Sequence, residues 1–139
     1  MTIDDADEVA ALDLKCFGER DAWSSYYFFY AAQEVQAEYF VGELDGKIIA
    51  CAGAEIFSDA AEIETFAVAP EYRRQRIGTE LFAKLLAAIK VRGASLIFLE
   101  VRPSNKPAVN FYATFGFQGV DRVKNFYVDE DALIMMREI

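Results

Sequence analysis

Arg73-Arg74-Gln75-Arg76-Ile77-Gly78-Thr79 joins the apolar run Phe66-Ala67-Val68 to a helical pattern that continues as Glu80-Leu81-Phe82. A turn that opens into a helix leaves the first backbone N–H groups without intrahelical acceptors, and the helix dipole adds partial positive charge at the same end. With Arg73, Arg74 and Arg76 beside it, the segment has the chemistry of an anion cradle suited to phosphate, and Gly78 allows a bulky ligand close to the backbone. The alternative is an ordinary strand-to-helix connection with a solvated basic tip, because short glycine motifs recur by chance.

Glu100 is the second candidate. It is the only charge in Leu96-Ile97-Phe98-Leu99-Glu100-Val101, at the end of a strand, where ligands gather in sheets that contain parallel strands. A partly desolvated carboxylate in that place could act as a general base, taking a proton directly or through water. The competing reading has Glu100 emerging from the strand to pair with Arg102 or Arg74. Tyr112 shares a helical face with Val109 and Phe115, which taken alone describes a packed core tyrosine.

The elements that must position these groups follow from periodicity. Val9, Leu12, Leu14 and Phe17 with an acidic first turn predict an amphipathic helix over 4–17. A second helix starts after Trp23, capped by Ser24 or Ser25, and its run Tyr26-Tyr27-Phe28-Phe29-Tyr30 carries more aromatic surface than one core face needs. These rings are expected mainly to pack, with some free to line a cleft. Asp45-Gly46 between the apolar runs 39–43 and 47–52 is a hairpin signal, and a third strand over 61–68 leads into the basic turn. Ile77, Leu81, Leu85 and Ile89 predict a helix over 77–92 that Gly93 ends. A buried strand over 95–101 follows, then a short helix over 107–115 capped by Asn105 or Ser104 and stopped by Gly116, then strands over 117–127 and 132–138. The helix between the third and fourth strands makes that pair a crossover, hence parallel, in an otherwise antiparallel sheet.

Composition excludes several chemistries. A chain of 139 residues, 54% hydrophobic, suits one domain with a sizeable core. It has no histidine, which removes His-based relays, Ser-His or Cys-His nucleophiles and His-ligated zinc, and no metal site is expected. Cys16 and Cys51 lack redox or metal-ligand spacing and read as buried free thiols. A net charge of −9 disfavours nucleic acid as a partner and favours a cationic acceptor. Neither a membrane span nor a secretory leader is apparent, so a cytoplasmic location without a membrane partner is expected.

Taken with Leu99-Glu100-Val101-Arg102-Pro103-Ser104-Asn105 and Ala108-Val109-Asn110-Phe111-Tyr112-Ala113-Thr114-Phe115-Gly116-Phe117, the basic turn resembles the GCN5-related N-acetyltransferase superfamily over nearly the whole chain. The family's turn pattern is Gln/Arg-x-x-Gly-x-Gly/Ala, here Arg73-Arg74-Gln75-Arg76-Ile77-Gly78. Leu-Glu-Val-Arg-x-Ser-Asn at 99–105, Asn125-Phe126-Tyr127, and Cys16-Phe17 with Trp23-Ser24 are most similar to the ribosomal-protein-alanine N-acetyltransferases. The resemblance implies a single N-acetyltransferase domain over 1–139, an α/β fold with a mixed, mostly antiparallel sheet, flanking helices and a central parallel pair. It implies acetyl-coenzyme A as acyl donor, with its pantetheine arm along the backbone of Phe66, Ala67 and Val68. Its pyrophosphate would lie on Arg74, Gln75, Arg76, Ile77, Gly78 and Thr79, with a side-chain contact from Asn105. Glu100 is implied as general base, Glu64 being the alternative position, and Tyr112 as the acid that protonates the departing thiolate. A strand N–H near Val68 would steady the oxyanion, and the Trp23 and Tyr127 regions would wall the peptide cleft. The acceptor so implied is a protein N-terminus, such as that of a ribosomal protein; a small-molecule amine, or a silent acyl-coenzyme A binding module, is the alternative. Arg76 stands where the family usually has a glycine, and it is expected to occupy an already helical position with its side chain swung outward.

Overall fold

The computed structural model describes all 139 residues. A 3₁₀ turn leads into α1 (Ala6–Asp21) and α2 (Ser25–Ala31), followed by β1 (Ala37–Leu44), β2 (Lys47–Phe57), β3 (Ala60–Val68), α3 (Ile77–Val91), β4 (Leu96–Val101), α4 (Lys106–Thr114), β5 (Gln118–Tyr127) and β6 (Glu130–Glu138). No helix is long and apolar enough to cross a membrane.

Local chemistry explains the boundaries. The continuous helical phase of α1 breaks at Gly18, whose φ of 76° lies in the left-handed region, and one further turn carries the chain to Asp21. Ser24 caps α2 by accepting from Tyr27 N at 3.3 Å. Asp45 and Gly46 both have positive φ, 51° and 77°, which suits the twist of the β1–β2 hairpin. Asn105, rather than Ser104, caps α4 by accepting from Ala108 N at 3.3 Å.

The strands form one sheet in the order β1-β2-β3-β4-β6-β5, with every neighbouring pair antiparallel except the parallel β3–β4 pair. That pair is short. It runs through Ala60↔Leu96, Ala61↔Ile97 and Glu62↔Phe98, and there it stops. Beyond it β3 stays paired to β2 as far as Val68↔Ala50, while β4 stays paired to β6 as far as Val101↔Leu133. The sheet therefore splits between its two central strands. A bulge supplies the physical reason: Gly53 faces Thr65 but Ala54 faces Ile63, so Glu64 is an extra residue on β3, and an extra residue bends its strand and increases its twist.

The same bulge exchanges the two faces of β3. Ala61 and Ile63 join the core under α3 and α4 with Phe82, Leu85, Ile97, Leu99 and Tyr112. Ala67 instead joins the core under α1 and α2 with Val9, Leu12, Phe28, Ile49 and Cys51. Of the aromatic run in α2 only Phe28 is fully buried, and Tyr26 and Tyr30 remain exposed. Cys51 is a buried free thiol as expected; Cys16 is only half-buried, because its end of α1 lies at the rim of this second core.

Asp13 on α1 is 2% exposed and accepts from Trp23 N and from Thr65 Oγ1, each at 2.8 Å. Burial raises its pKa, and these two donors partly offset the rise. Through Asp13 the α1–α2 connection is tied directly to β3.

Candidate active site

The split between β3 and β4 is flanked by two unlike surfaces. On the α3 side lies the basic turn. Arg74 and Arg76 have φ of 64° and 65°, both left-handed, and they alternate with residues of ordinary conformation. Such alternation turns successive N–H groups toward one point and makes an anion-binding concavity. No backbone N–H from Arg74 through Thr79 has an acceptor in the protein; the first regular bond is Glu80 N to Arg76 O at 3.0 Å.

The expectation for Arg76 is thereby corrected. With φ of 65° and ψ of 4° it is the left-handed residue before α3, not a member of the right-handed helix, because the chain must reverse between β3 and α3 within a few residues. Gly78 also has a different first reason to be glycine. A Cβ there would sit 3.0 Å from Phe66 Cζ and 3.2 Å from Val68 Cγ2, so its absence lets α3 press onto β3.

Ala69 N donates to Ile49 O on β2 at 2.8 Å, so by alternation the N–H and C=O groups of Phe66 and Val68 point away from β2, into the split. The Val68 carbonyl already accepts from Arg73 Nε at 3.0 Å, which leaves Val68 N–H as its free polar group. Phe66 itself stacks on Phe111 of α4, with ring centroids 4.8 Å apart. Ala67, on the alternate register, spends its backbone groups on the Cys51 pairing rather than on the split. Asn105 serves as the α4 cap, with its amide nitrogen left over.

On the α1 and α2 side the surface is acidic. Glu100 projects opposite the buried Leu99 and Val101, and it shares its face of the sheet with Glu62, Glu64 and Glu55. Glu62 is the last residue of β3 paired to β4, at the point where the two strands part, and its carboxyl lies against that of Glu100. Burial first, then the adjacent Glu100 and Glu55 carboxylates, push the Glu62 carboxyl up to about 7, so it can hold a proton and donate it to Glu100 up to neutrality. Glu62 did not stand out in the sequence. The signal was there: charges at alternate positions, Glu62 and Glu64, inside a strand whose other residues are apolar or small.

Glu64 accepts a hydrogen bond from Tyr27 Oη at 2.8 Å, and Trp23, stacked on Tyr27 at 4.3 Å, donates from Nε1 to the Glu64 carbonyl at 3.3 Å. Burial raises the Glu64 pKa, the Tyr27 bond opposes the rise, and Glu62 and Glu55 add to it. Trp23 thus stands where a cleft wall was expected.

Tyr127 is the other residue expected to wall a cleft. Arg102 lies 4.3 Å over its ring and grips Asp21 with two nitrogens, at 2.7 and 3.0 Å, while reaching Asp129 at 2.9 Å and Glu130 at 3.3 Å. Arg102 therefore does not pair with Glu100. It clamps the end of α1 and the β5–β6 hairpin to β4. A second bulge in β5, between Val123 and Tyr127, with Asn125 at φ of 55°, re-aims the tyrosine inward. Burial, followed by Asp21 and Glu100, pushes the Tyr127 phenol up to about 12.

Tyr112 is 8% exposed among Phe66, Phe82, Phe111 and Phe117. Burial, then Tyr127, hold its phenol well above the ordinary value, so it stays protonated at any physiological pH. Tyr127 is the common neighbour that senses Glu100 on one face of the sheet and Tyr112 on the other. The arrangement offers a cradle for an anionic group, exposed strand N–H groups, a carboxylate pair able to accept a proton and a neutral phenol able to give one.

The known proteins that this chain resembles are acetyltransferases. A family model described as the acetyltransferase (GNAT) family matches residues 6–117. A Bacillus subtilis protein, named as a candidate [ribosomal protein bS18]-alanine N-acetyltransferase, is 38% identical over 138 residues, covering 97% of this chain and 90% of the relative. An N-alpha-acetyltransferase of Sulfurisphaera tokodaii is 38% identical over 125 residues, with 79% of this chain and 75% of the relative covered. The crystal structure of the ribosomal-protein-S18-alanine N-acetyltransferase from Escherichia coli superposes with a TM-score of 0.89 at 29% identity, over 100% of this chain and 90% of that one.

Proposed function

The chain belongs to the acetyltransferase (GNAT) family, and we propose that it transfers an acetyl group from acetyl-coenzyme A to the α-amine of a protein N-terminus, of the ribosomal-protein-alanine type. The observation that carries this reading is the split between β3 and β4, which ends at Glu62 and leaves Glu100 on one face and Tyr112 on the other. An acceptor amine and an acyl donor can meet there from opposite sides of the sheet.

The residues present fit coenzyme A. The open N–H groups of Arg74, Gln75, Arg76, Ile77, Gly78 and Thr79 suit a pyrophosphate, the outward backbone groups of Phe66 and Val68, without Ala67, suit an amide-rich arm, and the amide of Asn105 is available for a further contact. When bound, the cosubstrate supplies the acetyl group as a thioester. The chain's own groups do the rest. Glu100 takes the proton from the acceptor amine, with Glu62 alongside sharing it. Val68 N–H is placed for oxygen charge that develops during transfer. Tyr112 Oη holds the proton destined for the leaving sulfur. The aromatic walls Trp23, Tyr27 and Tyr127 orient the peptide end and exclude water.

The test is acetyl transfer over a panel of peptides with free N-termini, the same peptides with blocked N-termini and internal lysines, and small amines. Turnover confined to free α-amines is the expected outcome. Turnover confined to small amines would move the chain to the small-molecule branch of the family, and failure of acetyl-coenzyme A to raise the thermal midpoint would overturn the cradle itself.

A further inference from the structure

Arg73 is the arginine of the basic turn whose side chain folds back onto the chain. Its Nε donates to the Val68 carbonyl at 3.0 Å, while no ion pair engages Arg73, Arg74 or Arg76. The Cys16 thiol of α1 reaches the same carbonyl at 3.5 Å, and Arg73 lies beside that thiol as well.

The place of this bond in the chain gives it a consequence. Val68 ends β3, and Ala69 N is fastened to Ile49 O at 2.8 Å. Tyr72 N and Arg73 N then donate to Ala69 O and Pro70 O, at 2.9 and 3.4 Å, closing a short 3₁₀ turn. From Arg74 through Thr79 no backbone N–H has an acceptor in the chain, so the run of open N–H groups is suspended between α3 and this turn. At the turn end the Arg73 side chain ties the run directly to the strand. Gln75 adds a long bond within the turn itself, Nε2 to Glu71 O at 3.4 Å. Arg73 is extended, with φ of −70° and ψ of 156°, and the left-handed Arg74 follows it. A bond that fixes residue 73 therefore fixes the direction from which residues 74–79 set out.

The identity of the donor atom separates two roles for this arginine. Its Nε is bonded to Cδ, and the amide nitrogen of a glutamine is bonded to Cδ as well, so glutamine can offer an N–H in the same place without charge. The family's turn pattern, Gln/Arg-x-x-Gly-x-Gly/Ala, begins at residue 73, and that N–H is what its two alternatives share. A lysine keeps the charge, but its nitrogen lies one atom further out. A residue needed only as a charge for phosphate would admit lysine and refuse glutamine.

We infer that Arg73 is a positioning residue: through Nε and the Val68 carbonyl it holds the run of N–H groups in the shape that receives the anion, and it does not bind that anion by its charge. The inference rests on the acetyl-coenzyme A reading of the cradle. A bond already made in the free protein pre-organises the turn, so its loss appears as weaker binding, through the cost of ordering the loop on each encounter.

The test uses Arg73→Gln, Arg73→Met and Arg73→Lys in the full chain, with calorimetry against acetyl-coenzyme A at low and high salt. Methionine matches the length of the side chain and keeps neither donor nor charge. The expected dissociation constant is within about threefold of wild type for Arg73→Gln and about tenfold weaker for Arg73→Met, with Arg73→Lys beside the methionine variant. These ratios should be the same at both salts, because salt screens a charge and not a neutral hydrogen bond. In steady state the KM for acetyl-coenzyme A should follow the same order, with kcat and the acceptor KM changing by at most about twofold. Affinity kept by lysine and lost by glutamine, with a gap that closes at high salt, overturns the proposal and makes Arg73 a direct ligand of the phosphate. Equal affinity in all the proteins, or a loss in Arg73→Gln as large as in Arg73→Met, overturns it too.

The backbone amide NMR signals of residues 74–79 in the free protein give a readout that needs no ligand. They should coincide in wild type and Arg73→Gln and move in Arg73→Met, and signals that methionine leaves in place overturn the positioning role. If the wild type fails to bind acetyl-coenzyme A, the cradle reading falls, and the amide signals alone decide whether Arg73 shapes the turn.

Discussion

The two sides of the β3–β4 split are built by different means. On the α3 side the site is backbone apart from the Tyr112 phenol and the Asn105 amide: N–H groups of 74–79 turned inward by two left-handed residues, a strand edge at Phe66 and Val68, and a glycine that brings helix and strand together. On the α1 and α2 side it is side chain: Glu55, Glu62, Glu64 and Glu100 from three strands, Tyr27 and Trp23 from the helix region, and an arginine clamp that gathers Asp21, Asp129 and Glu130. A backbone site tolerates almost any side chain pointing away from it, whereas a side-chain site changes character with each substitution. The first is suited to a cosubstrate that never varies, the second to an acceptor that can.

Substitutions on the two sides should therefore separate binding of the cosubstrate from turnover. The largest effect is expected for Glu100→Gln and Tyr112→Phe, each lowering kcat by about 10²-fold with the acetyl-coenzyme A dissociation constant nearly unchanged. Steady-state kinetics beside calorimetry checks both halves of that statement. Retained turnover in Glu100→Gln, with loss in Glu62→Gln or Glu64→Gln, would relocate the base along the same acidic face.

Arg102→Lys comes next. A lysine keeps the charge but cannot grip Asp21 with two nitrogens, reach the β5–β6 hairpin and cover the Tyr127 ring at once. KM for the acceptor should rise several-fold as Tyr127 loosens, and the thermal midpoint should fall by several degrees, both readable without disturbing the cosubstrate side. A rise in the cosubstrate KM instead would mean that the two sides are coupled through β4.

What was legible in the sequence divides along the same line. The basic turn, the Asp45-Gly46 hairpin, the Asn105 cap and the order of helices and strands are local signals, and each lies within a few residues of the feature it specifies. The bulge at Glu64 is a matter of register between β2 and β3, which no local pattern encodes, and without it neither the split nor the change of faces in β3 can be foreseen. Glu62 gains its altered acidity from burial first and then from Glu100 and Glu55, and Glu100 comes from a strand far along the chain. Arg76 shows the reverse failure: a local reading in favour of the helix was overridden by the need to reverse the chain.

Glu62→Gln tests the acidic side by pH. The folded-state carboxyl titrates at about 7 against an ordinary value of 4.5, so the fold holds this proton more tightly than the unfolded chain does. Its contribution to stability is fully present below about 4.5 and is lost as pH rises through about 7. Glutamine cannot ionise. The variant should accordingly match the wild type in urea midpoint at acid pH and exceed it modestly above neutrality, the gain being limited by the solvent that half-covers the group. Parallel pH profiles for the two proteins would show that Glu62 and Glu100 do not share a proton.

The smallest effect, and the one that bears on the cosubstrate side, is expected for Arg76→Gly. A non-glycine residue at φ of 65° carries a conformational cost of about 1 kcal/mol that glycine does not, so the variant should be more stable despite the greater freedom of its unfolded chain. The N–H groups of the cradle keep their direction, because the left-handed geometry is what glycine prefers. Only a solvent-exposed positive charge beside the anion is lost, and salt screens a charge in that position. Acetyl-coenzyme A binding should then weaken at most a few-fold at low salt and equal the wild type at high salt, measured by calorimetry in both conditions. If binding collapses at high salt as well, the arginine side chain and not the backbone holds the ligand, and the contrast between a backbone side and a side-chain side of the split does not hold.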